Sequence, residues 1–200
     1  MKSFFFKKIL IFLFVFFLFM TMFSCQPISS TQDAKNFSNA MIKAFFIGDE
    51  AYNKFGISKS DKTVTPGTSN ISNFSNSHFG SELNDYFTYT KIEFSNSEIS
   101  YEDARYTVNG TLYCAVDSTF SSDHFEATII LYGSFEVTKD GKTQDVVFDA
   151  KYTLTFTVKD EDHDGVYDFN LSGSFLSYVN DFVVNDSSWS ITFSGKWFTS

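Results

Sequence analysis

A chain of 200 residues is long enough for one domain with a sizeable core, and its 24 acidic and 15 basic residues give a formal net charge of −9. Three of the basic residues fall within the first eight positions, so the rest of the chain carries a net charge of −12. Nucleic-acid binding and adsorption to an anionic membrane both need cationic clusters, and this charge balance argues against them.

Residues 1–24 have the pattern of a signal peptide. Lys2, Lys7 and Lys8 precede an uninterrupted apolar run over 9–20, which is short for a transmembrane helix and typical of a secretory signal. The leader ends in Met22-Phe23-Ser24-Cys25. This tetrapeptide resembles the lipobox of bacterial lipoproteins, in which the cysteine is lipidated and becomes the first residue after cleavage.

The resemblance implies that acyl chains on Cys25 hold the protein in a bacterial cell envelope, with 25–32 as a polar tether. Several acyl chains anchor a protein stably, whereas one chain binds only marginally. Gln26 follows the cysteine, and by resemblance to enteric lipoproteins a residue other than Asp at this position implies the outer membrane. A signal cut elsewhere, or an uncleaved apolar anchor, remains the alternative.

A helix is predicted over 33–52, with Asp33 as its N-cap. Its apolar residues recur at steps of three and four and form one stripe: Phe37, Met41, Ala44, Phe45, Gly48 and Tyr52. We expect this stripe to cover one face of a sheet. The alternative is a helix lying on the membrane surface, but its polar side is not basic enough.

Residues 56–81 are rich in Ser and Asn and show no hydrophobic period, so we expect a long loop with at most one short strand. From residue 85 onward the sequence is dominated by strand patterns. Alternation of apolar and polar residues is clearest in five segments: 106–116, 125–137, 146–158, 167–179 and 189–197. Lys139-Asp140-Gly141 predicts a tight hairpin between the second and third of these. Short connections favour an antiparallel meander.

The segment 145–159 shows this alternation best: its even positions are apolar, and its odd positions, including Asp149 and Lys151, face water. Strands of this length run about 40 Å, whereas a twenty-residue helix covers only about 30 Å. The sheet must therefore curl or form two layers. We predict a single mainly β domain over 33–200, built as a long-stranded curved antiparallel meander (half-barrel or sandwich) with one N-terminal α-helix.

Four glycines, Gly110, Gly133, Gly173 and Gly195, lie on the apolar face of separate strands. Glycine weakens the interior of a strand, so a row of them indicates a bend or the close approach of another group. We expect a sheet that bends along this row and wraps the helix or an apolar ligand. Phe156 would then line a cavity or pack in a core.

The acidic segment 160–168 resembles the D-x-D-x-D-G-x-x-D calcium loops of integrin-type propellers. That resemblance implies a structural Ca²⁺ held by the carboxylates of Asp160, Asp162, Asp164 and Asp168 and by the backbone carbonyl of Val166. The alternative is a solvated acidic turn between two strands. Five carboxylates in nine residues repel one another unless a cation is present, which favours the metal.

Catalytic motifs are absent from the sequence: its three histidines form no zinc-binding H-E-x-x-H, and there is no phosphate-binding glycine-rich loop. Cys114 falls on an apolar strand face and is expected to be a buried, inert thiol. We therefore expect a non-enzymatic envelope lipoprotein that binds an apolar ligand within its curved sheet. The alternatives are a structural or adhesive lipoprotein with a solid β core and a membrane-inserted β-assembly.

Overall fold

The computed structural model describes residues 26–46, 57–60, 77–85, 90–120, 125–159 and 167–195. These residues form one helix, one 3₁₀ helix and seven strands. In chain order the elements are α1 (Thr31–Phe46), β1 (Ile57–Ser60), η1 (Gly80–Asp85), β2 (Thr90–Tyr101), β3 (Ala104–Phe120), β4 (Phe125–Lys139), β5 (Lys142–Lys159), β6 (Tyr167–Val179) and β7 (Phe182–Gly195).

The seven strands form a single antiparallel sheet in which each strand pairs with its neighbours in sequence. The predicted meander with one N-terminal helix is therefore confirmed, and of the two architectures left open the single curved sheet forms, not two packed layers. The segment 56–81, expected to be a long loop with at most one short strand, contains the short strand β1 and the start of η1. Its residues 61–76 lie outside the described part of the chain.

Two-residue turns join β2 to β3, β4 to β5 and β6 to β7, and antiparallel topology places all three at the same end of the sheet. Each turn has a residue in the left-handed region: Glu102 at φ 51°, Asp140 at 52° and Asn180 at 51°. The turn at Asp140-Gly141 is the one that the sequence predicted. We call this end the tight-turn end, and the opposite end, where β3 and β5 finish, the loop end.

The helix begins at Thr31 and its N-cap is Ser30, not Asp33. The Ser30 hydroxyl accepts the Asp33 N–H at 3.1 Å, and the Asp33 carboxylate accepts hydrogen bonds from the hydroxyls of Ser29 and Ser30. Lys139 also pairs with Asp33 at 2.7 Å. Burial raises the pKa of Asp33, but its hydrogen bonds from Lys139, Ser30 and Ser29 outweigh burial and hold that pKa below its usual value.

The residues before the helix pack on the sheet, although the sequence suggested a polar tether over 25–32. Pro27 and Ile28 are buried, and Ile28 is fully inaccessible. The Ile28 N–H donates to Gln144 Oε1 at 3.1 Å, and Gln144 Nε2 donates to Gln26 Oε1 at 3.3 Å. The apolar side chain of Ile28 thus joins the core, and the packed domain includes the chain from Gln26 onward.

Helix α1 lies in the concave face of the sheet, where it contacts strands near both edges, β2 and β7. Phe37 is fully buried at the centre of this interface. Its ring meets the rings of Tyr106 and Phe148 edge-on, with centroids 5.3 and 5.8 Å apart. Edge-to-face contacts of this kind add to the stabilisation from apolar burial. Helix α1 therefore fills the concave face of the sheet, and we call the curved sheet together with this helix the half-barrel.

Polar groups buried between helix and sheet have hydrogen-bond partners. The Tyr152 hydroxyl donates to the Ser38 carbonyl at 2.9 Å, and the Ser38 hydroxyl shares a 2.8 Å bond with that of Ser177. Trp189 Nε1–H donates to Asn39 Oδ1 at 2.8 Å. Because unpaired buried polar groups are costly, these bonds fix the helix in one position along the sheet.

The four glycines do not form a single row directly across the strands, because the registers place them on an oblique line. Gly110 pairs with Phe135, two residues from Gly133. Gly133 pairs with Phe148 of β5, whereas Gly173 pairs with Leu154, six residues further on. Gly195, paired with Tyr167, is displaced by six more residues in the same direction. An oblique line of this kind fits a sheet with the usual twist and coil.

Neighbouring backbones approach closely at three of these glycines, Gly110, Gly133 and Gly173, and most closely at Gly110 and Gly173. A Cβ on Gly110 would lie 2.2 Å from the Ser134 carbonyl oxygen, and one on Gly173 would lie 2.2 Å from the Thr153 carbonyl oxygen. Both glycines also have positive φ, 147° and 155°. The curvature at these positions therefore excludes a side chain.

We expect Gly110→Ala to lower the free energy of unfolding by about 3 kcal/mol or more, since it combines positive φ with a backbone clash. Gly141→Ala is the matched control, because Gly141 has φ of 74° but open space around it, and it should lose about 1–2 kcal/mol. Urea unfolding of the two variants measures the difference. Equal losses would show that the close approach at Gly110 is not a constraint.

Candidate functional site

The predicted lipidation and calcium residues lie mostly outside the described ranges, which include neither Cys25 nor residues 160–166. Asp168 is described: it is exposed at the start of β6, and its Oδ1 accepts the Ser194 hydroxyl at 2.5 Å. Within the described ranges there is no group of three or more His, Cys, Asp or Glu side chains that could hold a metal ion. The calcium prediction therefore depends on a loop that the structure leaves undescribed.

Of the residues expected to face a ligand or a core, Phe156 packs against α1. Phe156 is partly buried near the loop end, with its ring centroid 5.5 Å from that of Phe46 and 4.2 Å from that of Phe125. Cys114 is only 2% exposed, as its strand position predicted. Side chains of the helix thus occupy the concave face that the sequence assigned to a helix or an apolar ligand.

The outer face of the sheet is covered in part by the segment 77–85, which contains η1. Leu83 of this segment packs with Ala115 and Ile130 in a second apolar cluster, separate from the main core. Phe79, Tyr113 and Tyr132 border the cluster. This cluster joins residues that are far apart along the chain. Strand alternation places position 115 of β3 and position 130 of β4 in water, so it does not predict the cluster.

Asp149 holds the segment 77–85 to the sheet. The sequence placed Asp149 on the wet face, but it is 3% exposed, because the segment covers it. Its carboxylate accepts the backbone N–H groups of His78 at 2.5 Å, Phe79 at 3.1 Å and Gly80 at 3.1 Å. Burial raises the pKa of Asp149, while the three amide donors and His78 act in the opposite direction.

Two further contacts flank this carboxylate. Lys151 pairs with Glu82 at 2.8 Å, and the His78 ring stacks on Tyr178 with centroids 3.6 Å apart. The salt bridge is about one-third exposed at each partner and stabilises the segment only modestly. The carboxylate–amide contacts are therefore the main polar attachment of 77–85.

A polar groove of about 410 Å³ opens on the outer face near the loop end, lined by Asp117, Glu126, Ala127, Thr128, Thr153, Leu154, Thr155, Ser172 and Gly173. Side chains of the outer-facing positions form its walls, and the strands near Gly173 form its floor. The hydroxyls of Thr155 and Ser172 share a 3.1 Å hydrogen bond.

The described residues that line this groove supply two carboxylates and four hydroxyl groups, and none of them is basic. Such a surface accepts hydrogen bonds from molecules that carry several hydroxyl or amino groups. Among the described residues that line it, there is neither histidine nor cysteine. From the sequence, these positions are indistinguishable from an ordinary wet strand face.

No family model, no curated protein and no solved structure matches this chain. Of the helices that the structure describes, none is long and apolar enough to cross a membrane.

We expect Asp149→Asn to loosen the segment 77–85, because an amide can present its NH₂ group to the three backbone donors and accepts less strongly than a carboxylate. Hydrogen–deuterium exchange should accelerate at the amides of residues 78–80. Asp145→Asn is the control, since that side chain is exposed on the same strand. Unchanged exchange in Asp149→Asn would show that the carboxylate does not hold the segment.

Proposed function

We propose that the protein is a lipid-anchored, non-enzymatic protein of the bacterial cell envelope, most simply of the outer membrane, which binds its partner through the outer surface of a helix-filled half-barrel. The lipobox-like tetrapeptide Met22-Phe23-Ser24-Cys25 supports the anchoring, and the chain that follows it packs on the domain. Ile28 is fully buried and bonded to Gln144. The leader and lipobox-like tetrapeptide thus precede a folded domain with little chain between them.

The filled concave face favours the solid-core alternative over an enclosed apolar ligand. Met41 and Ile42 are fully buried beside Phe37, and the surrounding strand residues are buried with them. A ligand in this position would have to displace the helix and break the Tyr152–Ser38 hydrogen bond. Surface binding is therefore the simpler function, and the polar groove is the cavity that supports it.

Binding of a polar partner fits the chemistry of this surface. Asp117 and Glu126 face the groove from neighbouring strands, close to Thr128 of β4. Their carboxylates attract amino groups and accept hydrogen bonds from hydroxyl groups. We infer a partner rich in hydroxyl or amino groups, such as a glycan or an amine-bearing polymer, and no catalytic step.

Lipidation is tested by metabolic labelling with palmitate in a bacterial host that processes lipoproteins. The full-length chain should incorporate label and sediment with membranes, whereas Cys25→Ala should do neither. Cys114→Ala is the control and should keep both properties, because that thiol is buried within the domain. Equal label in the full-length protein and Cys25→Ala would contradict the proposal.

We also propose that the segment 160–168 binds a structural Ca²⁺ that stabilises the connection between β5 and β6. The strands on either side are in register at Lys159 and Asp168, so a bound ion would close the hairpin beyond its last strand pair. The carboxylates of the loop supply the hard oxygen ligands that calcium prefers.

Calorimetric titration with calcium should give binding heat for the native chain and none for the double variant Asp162→Ala/Asp164→Ala. The variant should also gain no thermal stability from calcium, because binding to the folded state is the source of that gain. Equal heats for both proteins would refute the calcium site.

A further inference from the structure

We propose that the tight-turn end of the half-barrel lies directly on the lipid bilayer, and that the groove and the loop end point away from it. This orientation rests on the proposed lipidation of Cys25. Beyond lipidation, the orientation specifies which surface of the domain faces the membrane, and the partner of that surface is the lipid bilayer.

Very little chain separates the proposed anchor from the folded domain. Gln26 directly follows Cys25, and consecutive Cα atoms are about 3.8 Å apart. Gln26 already bonds to Gln144, and the next two residues, Pro27 and Ile28, are buried. An acyl group on Cys25 would therefore hold the domain within a few ångströms of the bilayer surface, with no slack for it to tumble.

The chain after the anchor attaches to the sheet near the turn between β4 and β5. Gln144 is the third residue of β5, directly after the Asp140-Gly141 turn. Beside it, Lys139 at the end of β4 pairs with Asp33 in the first turn of α1, and the Tyr106 hydroxyl near the start of β3 donates to the Asp33 carbonyl at 3.3 Å. The attachment therefore lies at the tight-turn end.

The opposite end is far from this attachment. Helix α1 runs from the tight-turn end to Phe46, whose ring lies 6.0 Å from that of Phe169 near the start of β6 and 6.3 Å from that of Phe193 near the end of β7. A strand of 15 residues such as β4 is about 45–50 Å long. Asp117 and Glu126 of the groove lie near the loop end of that length.

The tight-turn end has the chemistry of a surface that does not insert into the hydrocarbon layer. Its turns expose four carboxylates, those of Glu102, Asp103, Asp140 and Asp181. Two basic side chains are exposed beside them, those of Arg105 and Lys142. These charges would be costly in the hydrocarbon layer but are stable among hydrated headgroups. The covalent anchor, not apolar insertion, therefore sets the orientation.

Fluorescence quenching in vesicles tests the orientation. The acylated full chain is placed in vesicles of phosphatidylethanolamine and phosphatidylglycerol and carries the fluorophore bimane at Asp181→Cys or at Ser118→Cys. Both positions are exposed. The native Cys114 is 2% exposed and should not be labelled. Ser118 lies near the loop end. A lipid with a spin-labelled headgroup should quench the Asp181→Cys probe at least threefold more than the Ser118→Cys probe. Equal quenching, or stronger quenching at Ser118→Cys, would overturn the orientation.

A linker variant separates this inference from the proposal on which it rests. Twelve Gly and Ser residues inserted between Gln26 and Pro27 should reduce the difference between the two probes to less than 1.5-fold, because the domain can then tumble. Persistence of the full difference would show that the short attachment is not its cause. Mass spectrometry without an acyl mass would instead overturn the lipid anchor itself, and with it the orientation.

Discussion

The packing of α1 against the concave face is the interaction on which the rest of the structure depends. A single curved sheet leaves its inner side chains exposed unless something fills the curve. Phe37, Met41 and Ile42 fill it and are fully buried. Burial of three large apolar side chains stabilises the fold by several kcal/mol relative to their exposure, and the strands supply the matching surface.

Other features follow from the need to coil the sheet about this helix. Gly110 and Gly173 permit neighbouring backbones to approach closely. Gly173 also forms part of the floor of the polar groove on the outer face. Because the interior is filled, the surfaces left for a partner are the outer face and the two ends, and a lipid at Cys25 would assign one end to the bilayer.

Strand alternation made most of the sheet predictable, since the buried residues Val146, Phe148, Ala150, Tyr152 and Leu154 of β5 lie where the pattern places them. Prediction failed where a bulge or a distant segment intervenes. Bulges between Phe94 and Ser97 and opposite Gly173 break the alternation, and the segment predicted over 189–197 therefore misses the first residues of β7, which begins at Phe182. Burial of Asp149 depends on a segment about 70 residues away along the chain, which no local pattern records. The groove could not be predicted from the sequence either, because the strand registers bring its residues together.

The position of α1 is tested most directly by nuclear Overhauser contacts between aromatic rings in the folded domain. We expect strong cross-peaks from the Phe37 ring to the rings of Tyr106 and Phe148, whose centroids lie 5.3 and 5.8 Å away. Absence of both cross-peaks, with a Phe37 ring accessible to a soluble paramagnetic probe, would contradict this position of α1, because the concave face would then be open.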